Sequence, residues 1–160
     1  MKIKIESCSE ENTISLGIKI ASLLFKESLI LLTGDLGAGK TTFTKGIAKG
    51  LNIKDEVNSP TFNILKCYFN KPLNLYHIDA YRLEGVNKEN KNIGLEEVIE
   101  GDGVCVIEWP MYIEEFIPSS YLKVNITLNN NNSRTIEIES FGKKYDEVIC
   151  KLKEIIQCIV

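Results

Sequence analysis

Residues 29–45, LILLTGDLGAGKTTFTK, constrain this chain more than any other stretch. Gly34, Gly39, Lys40 and Thr41 spell G-x-x-x-x-G-K-T, with a further glycine at Gly37. The apolar run Leu29, Ile30, Leu31 and Leu32 precedes them, and a helix-compatible segment follows. This order predicts a strand, a glycine-rich turn and a helix start, the arrangement in which a backbone wraps a phosphate chain. A loop that takes positive φ or closely approaches an anion needs residues without a Cβ. The N–H groups of a first helical turn have no intrahelical acceptor and point at the anion. Gly34, Asp35, Leu36, Gly37, Ala38 and Gly39 are therefore expected to surround a nucleotide triphosphate. Lys40 would bring a mobile charge to the β- and γ-phosphate oxygens, Thr41 would ligate the magnesium ion bridging them, and Thr42 would reach the α-phosphate.

The rest of the composition sets bounds around that loop. With 160 residues, 44% hydrophobic and 26% charged, residues 1–160 read as one domain long enough to bury a sizeable core. A net charge of −3 provides no broad basic surface, so strong direct nucleic-acid binding is not expected. No apolar run approaches the length of a membrane span, and residues 1–13 lack the apolar segment of a secretory leader, which predicts a cytoplasmic protein. Five cysteines form no C-x-x-C pair and sit mostly in apolar stretches, so buried free thiols are expected. With one histidine, a zinc site is not.

Residues 2–6 alternate lysine and isoleucine as a short strand with one buried face. Ser7 and Ser9 offer N-caps for a first helix whose apolar positions run Ile14, Gly17, Ile18, Ala21, Leu24 and Phe25. Phe43, Ile47, Ala48 and Leu51 form the apolar face of the helix after the loop, which Gly50 and Asn52 end. Residues 57–62 form a polar turn leading into a strand at 62–68. Two readings stand for it, a simple Ser-Pro turn or a loop that senses the γ-phosphate. Strands are expected at 73–79, 103–108, 121–128 and 135–139, the last two joined as a hairpin through residues 129–133. A short helix at 94–99 and a closing amphipathic helix at 145–159 complete the list.

Two of these strands end in acids, Asp79 and Glu108. A site that holds magnesium against phosphates needs a carboxylate on the side opposite the phosphates, and both residues qualify. His77, inside an apolar strand, reads as a satisfied structural histidine. Trp109 reads as core, as a neighbour of the nucleotide or as part of an interface.

The stretches GDLGAGKTTFTKGIAKGL, VNSPTFNILKCY, LYHIDAYRL, GLEE and VIEWP, in this order, resemble the TsaE family, small bacterial ATPases required for threonylcarbamoyladenosine modification of tRNA. The likeness extends over nearly the whole chain, and H-x-D-x-Y-R followed by I-E-W-P is its most specific part. The resemblance implies an α/β fold, a P-loop NTPase-like three-layer sandwich with a central mixed sheet flanked by helices. It implies weak Mg2+-dependent ATP hydrolysis that resets a complex of TsaB and TsaD homologues between turnovers. Lys40 would bind phosphates, Thr41 and Glu108 would hold Mg2+, and Asp79 would lie near the γ-phosphate as a water-orienting or metal-linked acid. Ser59 and Thr61 would form a switch-like loop. The stretch from Ser9 to Thr13, together with Ser133 and Arg134, would contact the base. Arg82 would brace the loop around Asp79 by ion pairing.

Three rivals share the phosphate loop. A small-molecule kinase usually carries an arginine-rich lid, and this chain has only Arg82 and Arg134. A GTPase lacks support because no N-K-x-D string occurs. A nucleotide-gated scaffold needs only different partner affinities in its nucleotide states, and loss of hydrolysis without loss of function would identify it.

Overall fold

Alternation and helical spacing translate directly into elements in the computed structural model, which describes residues 1–60, 63–91 and 94–158. Strand β1 spans Lys2–Ser7, with Lys2, Lys4 and Glu6 exposed and Ile3 and Ile5 turned toward the core. Helix α1 spans Glu10–Ala21 and starts at the Ser9 side chain, which accepts from the Asn12 N–H at 3.1 Å. Glu10 and Glu11 in its first turn and Lys19 in its last favour the helix dipole. Strand β2 (Leu29–Thr33) leads through the glycine loop into α2 (Lys40–Gly50). Then come β3 (Leu65–Tyr68), β4 (Leu75–Asp79), a 3-10 turn at Tyr81–Leu83, and helices α3 (Lys88–Lys91) and α4 (Leu95–Ile99). Strand β5 spans Val104–Glu108 and is followed by 3-10 turns at Pro110–Tyr112 and Glu114–Phe116. The hairpin strands β6 (Tyr121–Leu128) and β7 (Arg134–Phe141) precede α5 (Lys143–Gln157).

The strands form one seven-stranded sheet in the order β1-β7-β6-β2-β5-β4-β3. The central four, β6, β2, β5 and β4, are parallel to their neighbours among themselves, whereas β3, β7 and β1 join antiparallel. In such a sheet the ligand crevice lies beyond the carboxyl ends of the parallel strands. Those of β2, β4 and β5 are where the phosphate loop, Asp79 and Glu108 emerge.

The two faces are covered unequally. Helices α1, α2 and α5 pack Leu16, Ile20, Phe43, Ile47, Val148 and Leu152 against Ile30, Leu32, Val106, Val124 and Ile138 of the sheet. Among the described residues the opposite face carries the short helices α3 and α4 and the 3-10 turns, which bury Leu83, Leu95, Ile99, Ile113 and Phe116 over Leu29, Leu31, Ile78 and Ile107. Beyond β2 that face bears Lys123, Asn125, Glu137 and Glu139, and their polarity leaves it facing water. The third layer is thus thin and partial.

Helices α1 and α2 cross at glycines. A Cβ built on Gly46 would lie 2.4 Å from the Ile14 carbonyl oxygen and 3.0 Å from Gly17 Cα. One on Gly17 would lie 2.7 Å from the Phe43 carbonyl oxygen. The absence of side chains there lets two backbones touch and sets α2, with the loop at its N-terminus, against the sheet.

Several expectations shift. Helix α1 stops at Ala21, so Leu24 and Phe25 pack from the following turn. Strand β7 begins at Arg134 and runs to Phe141, longer than its alternation suggested. Residue 62, expected to open a strand, and residue 159, expected in the closing helix, lie outside the described residues. The cysteines are free, but only Cys105 is buried; Cys8, Cys67, Cys150 and Cys158 are exposed. Cys67 sits on the edge strand β3, Cys150 falls off the buried stripe of α5, and Cys158 caps that helix just beyond its end. Among the described residues no helix is long and apolar enough to cross a membrane.

Candidate active site

The loop between β2 and α2 is shaped by positive φ angles. Gly34 has φ 147°, and a Cβ there would meet the Ile126 carbonyl oxygen at 2.4 Å. Gly39, the N-cap of α2, has φ 112°, a region that costs other residues about 1–2 kcal/mol. The first main-chain bond of α2 runs from the Phe43 N–H to the Gly39 carbonyl at 3.0 Å. The N–H groups of Lys40, Thr41 and Thr42 therefore precede the helical ladder and remain available to an anion. The floor of the loop is the buried Ala38. Its carbonyl accepts from Arg134 Nε at 3.1 Å, so a strand distant in sequence braces the loop from beside it.

Lys40 folds back over this loop. Its Nζ donates to the carbonyls of Gly34 at 2.6 Å and Asp35 at 3.0 Å, and it lies 4.8 Å from the centre of the Trp109 ring. Burial pushes its ammonium below the usual lysine range, opposed by the charges of Glu108, Asp79 and Asp35. A lysine that is closely held yet tied only to main-chain oxygens and a ring face is poised to exchange those contacts for phosphate oxygens.

The acids arrive through strand register. Asp79 of β4 pairs with Glu108 of β5, which in turn pairs with Leu32 of β2 just before the loop. Side chains two apart on a strand share a face, so His77, Asp79 and Glu108 project on the side covered by α2. Asp79 Oδ1 accepts from the Tyr81 N–H at 3.0 Å. Burial raises the Asp79 carboxyl above the usual range; the Tyr81 hydrogen bond opposes this, and the neighbouring Glu108 charge adds to it. Glu108 is only 3% exposed, and its Oε1 has no hydrogen-bond partner among the described residues. His77 is fully buried, yet neither ring nitrogen has a hydrogen-bond partner among the described residues, so the expectation of a satisfied histidine is not met there. Its Nε2 lies 3.8 Å from that same Glu108 oxygen.

These groups line a cleft of about 230 Å³. Leu36, Gly37, Gly39, Lys40, Thr41 and Thr42 enter it from the loop and α2, and Asp79 and Glu108 from the strands. Ser59 and Arg134 lie on its wall. Gly34, Asp35 and Ala38 complete the loop beneath it. Three of the residues expected near a base make hydrogen bonds within the protein. The Ser9 hydroxyl caps α1, the fully buried Thr13 hydroxyl bonds Ser7 Oγ at 2.7 Å, and the Ser133 hydroxyl bonds Asn131 Oδ1 at 2.7 Å inside the hairpin turn. A buried hydroxyl needs a partner, and those of Thr13 and Ser133 find theirs within the protein. Thr61 lies outside the described residues, and Arg82 is on the exposed 3-10 turn after β4.

Two further residues reach the cleft, Glu10 from within the 9–13 stretch expected near the base and Trp109 in the nucleotide-neighbour role, one of the three open to it. Glu10 reaches the cleft from the first turn of α1. Trp109, in the left-handed region at φ 57°, turns its ring over Lys40 and stacks with Tyr112, with Tyr81 tilted against it at 5.2 Å. A larger groove of about 550 Å³, lined by Leu31, Met111, Ile117 and Tyr121, occupies the other face of the sheet and contains neither Lys40 nor the paired acids. Size favours that groove, but converging polar groups favour the smaller cleft.

Comparison with known proteins finds matches over most of the chain. Residues 7–136 match the family model for threonylcarbamoyl adenosine biosynthesis protein TsaE. A Bacillus subtilis protein named tRNA threonylcarbamoyladenosine biosynthesis protein TsaE is 41% identical over 150 residues, covering 94% of this chain and 92% of its own. A Nostoc protein of the same name is 39% identical, with 91% of each chain covered. Among solved structures, Bacillus subtilis YdiB superposes with a TM-score of 0.84 at 34% identity, covering 96% of this chain and 95% of its own.

Proposed function

This chain belongs to the TsaE family, and from that premise we propose that it is the ATP-binding and ATP-hydrolysing subunit required for threonylcarbamoyladenosine modification of tRNA adenosine 37. It acts in the cytoplasm as one domain, a nucleotide-driven switch on a complex of TsaB and TsaD homologues. The observation that carries the reading is the cross-strand pair Asp79 and Glu108, set beside Lys40 at the mouth of the phosphate loop.

The residues present fit Mg2+. Glu108, paired across the strands with Asp79, lines the cleft as a carboxylate, and Thr41 stands in the first turn of α2 beside the loop. Among the described residues no group of three or more His, Cys, Asp or Glu side chains could hold a metal. This suits an ion that takes one or two protein ligands and completes its shell with phosphate and water oxygens. Thr41 and Glu108 would hold it, and it would neutralise charge developing on the phosphates.

The chain's own groups do the remaining work. Loop amides and the first turn of α2 gather the phosphates. Lys40 exchanges its carbonyl contacts for β- and γ-phosphate oxygens, and Asp79 orients the attacking water. Trp109 excludes solvent above Lys40. Arg134 braces the loop and flanks the nucleotide.

Replacing Glu108 with Gln tests this, with phosphate release from ATP as the readout. Turnover is expected to fall about 10²–10³-fold while nucleotide is still bound. Unchanged turnover would refute the assignment. Adding TsaB and TsaD homologues is expected to change the wild-type rate, and the same rate with and without them would remove the switch.

A further inference from the structure

Three buried polar atoms lie together without partners among the described residues: His77 Nδ1, His77 Nε2 and Glu108 Oε1. His77 is 0% exposed and Glu108 3%. Leaving one such group unpaired costs about 1–3 kcal/mol, more for a charged one. Such a gap is rare in native interiors and invites a functional explanation. Strand register accounts for the meeting. Asp79 stands opposite Glu108 and His77 opposite Val106, so His77 is the diagonal neighbour of Glu108 on one face of two adjacent parallel strands. The 3.8 Å from Nε2 to Oε1 exceeds a hydrogen bond by about 1 Å. A small rotation of either side chain closes it.

We propose that His77 is a positioning residue for Glu108. Its Nε2–H takes hold of Oε1 from within the core and turns the carboxylate toward the cleft, fixing it for the metal that accompanies the nucleotide. The inference rests on the proposed role of Glu108. His77 touches neither nucleotide nor metal and acts only through the carboxylate. Ligating carboxylates are generally held by such partners, whose loss costs about 10–100-fold in metal affinity. The arrangement also explains an imidazole in the middle of an apolar strand, where Leu75 and Ile78 are fully buried and a leucine would pack without orphaned nitrogens.

His77 is the only histidine, so a 15N-histidine-labelled full-length protein has a single imidazole whose protonated nitrogen is read directly by NMR. The expected result is a proton on Nε2, with a resonance that moves in Glu108→Gln. A bare Nε2, or resonances indifferent to Glu108→Gln, overturns the proposal without requiring any His77 variant to fold. The second measurement is the gain in affinity for a non-hydrolysable ATP analogue on adding MgCl2, followed by calorimetry. His77→Leu is expected to lose about tenfold of that gain, whereas His77→Gln, which keeps an N–H donor, stays within about threefold of wild type. Equal Mg2+ gains in wild type and His77→Leu overturn the positioning role. If Glu108→Gln itself retains the full gain, the metal-holding role of Glu108 fails and the inference falls with it.

Discussion

Replacing Gly46 with alanine tests the geometry on which the cleft depends. Any mid-helix glycine replaced by alanine should stabilise its helix by about 1 kcal/mol. Here the new methyl would lie 2.4 Å from the Ile14 carbonyl oxygen and 3.0 Å from both Gly17 Cα and Ile14 Cα, all of them main-chain atoms that cannot rotate away. Relief requires α1 and α2 to part by about 1 Å. That loosens the contacts of Leu16, Ile20, Phe43 and Ile47 in the larger core. Overpacking of this kind costs about 1–3 kcal/mol, and contact with rigid backbone argues for the upper end. After the propensity gain, a net loss of about 2 kcal/mol remains, equivalent to a fall in melting temperature of roughly 4–8 °C for a chain of this size. Denaturant titration and thermal melting both read it, with the exposed Lys49→Ala on the same helix as a near-neutral control. Adding Gly17→Ala should cost less than it does alone, because helices already parted have room for a second methyl. A Gly46→Ala protein that melts at or above the wild-type temperature would refute the crossing.

Asp79→Asn keeps the acceptor for the Tyr81 N–H and removes a carboxyl whose folded-state pKa burial raises. A raised carboxylate pKa destabilises the folded state above that pKa, and the penalty is relieved as pH falls through it toward the unfolded value. The variant should therefore melt higher than wild type near about pH 7 and lose that advantage by about pH 3; an advantage that grows on acidification would contradict the assignment. Arg134→Met removes the donor to Ala38 and a cation from the cleft wall, and should weaken ATP binding about tenfold, as measured by calorimetry. Trp109, the only tryptophan, lies over Lys40, so ATP should change its emission in wild type and leave it unchanged in Lys40→Ala.

What the sequence disclosed, and what it withheld, follows from how far each cause reaches along the chain. The phosphate loop was legible because its strand, glycines and helix start are contiguous, and Asp79 and Glu108 were legible because each ends an apolar run. Their pairing was not, since register between β4 and β5 is set by packing of both faces rather than by either segment. Gly17 and Gly46 carry no sign of each other until two helices cross. Arg134 reaches Ala38 only through the hairpin's place in the sheet. Hydroxyls at Ser9, Thr13 and Ser133 look like ligand contacts in a linear string, and the internal partners they take become visible only in the folded turns. The exposed cysteines show the same limit in reverse, because apolar neighbours predict burial only for residues on the same face.

The strand order also bears on synthesis. Among the described residues β1, the first strand in chain order, pairs with β7, the last, and the donor to Ala38 stands at the first residue of that strand. Contacts so distant must wait on loop closure across most of the polypeptide. A truncated or stalled chain ending before Arg134 would lack both the seam that closes the sheet and the prop beneath its glycines.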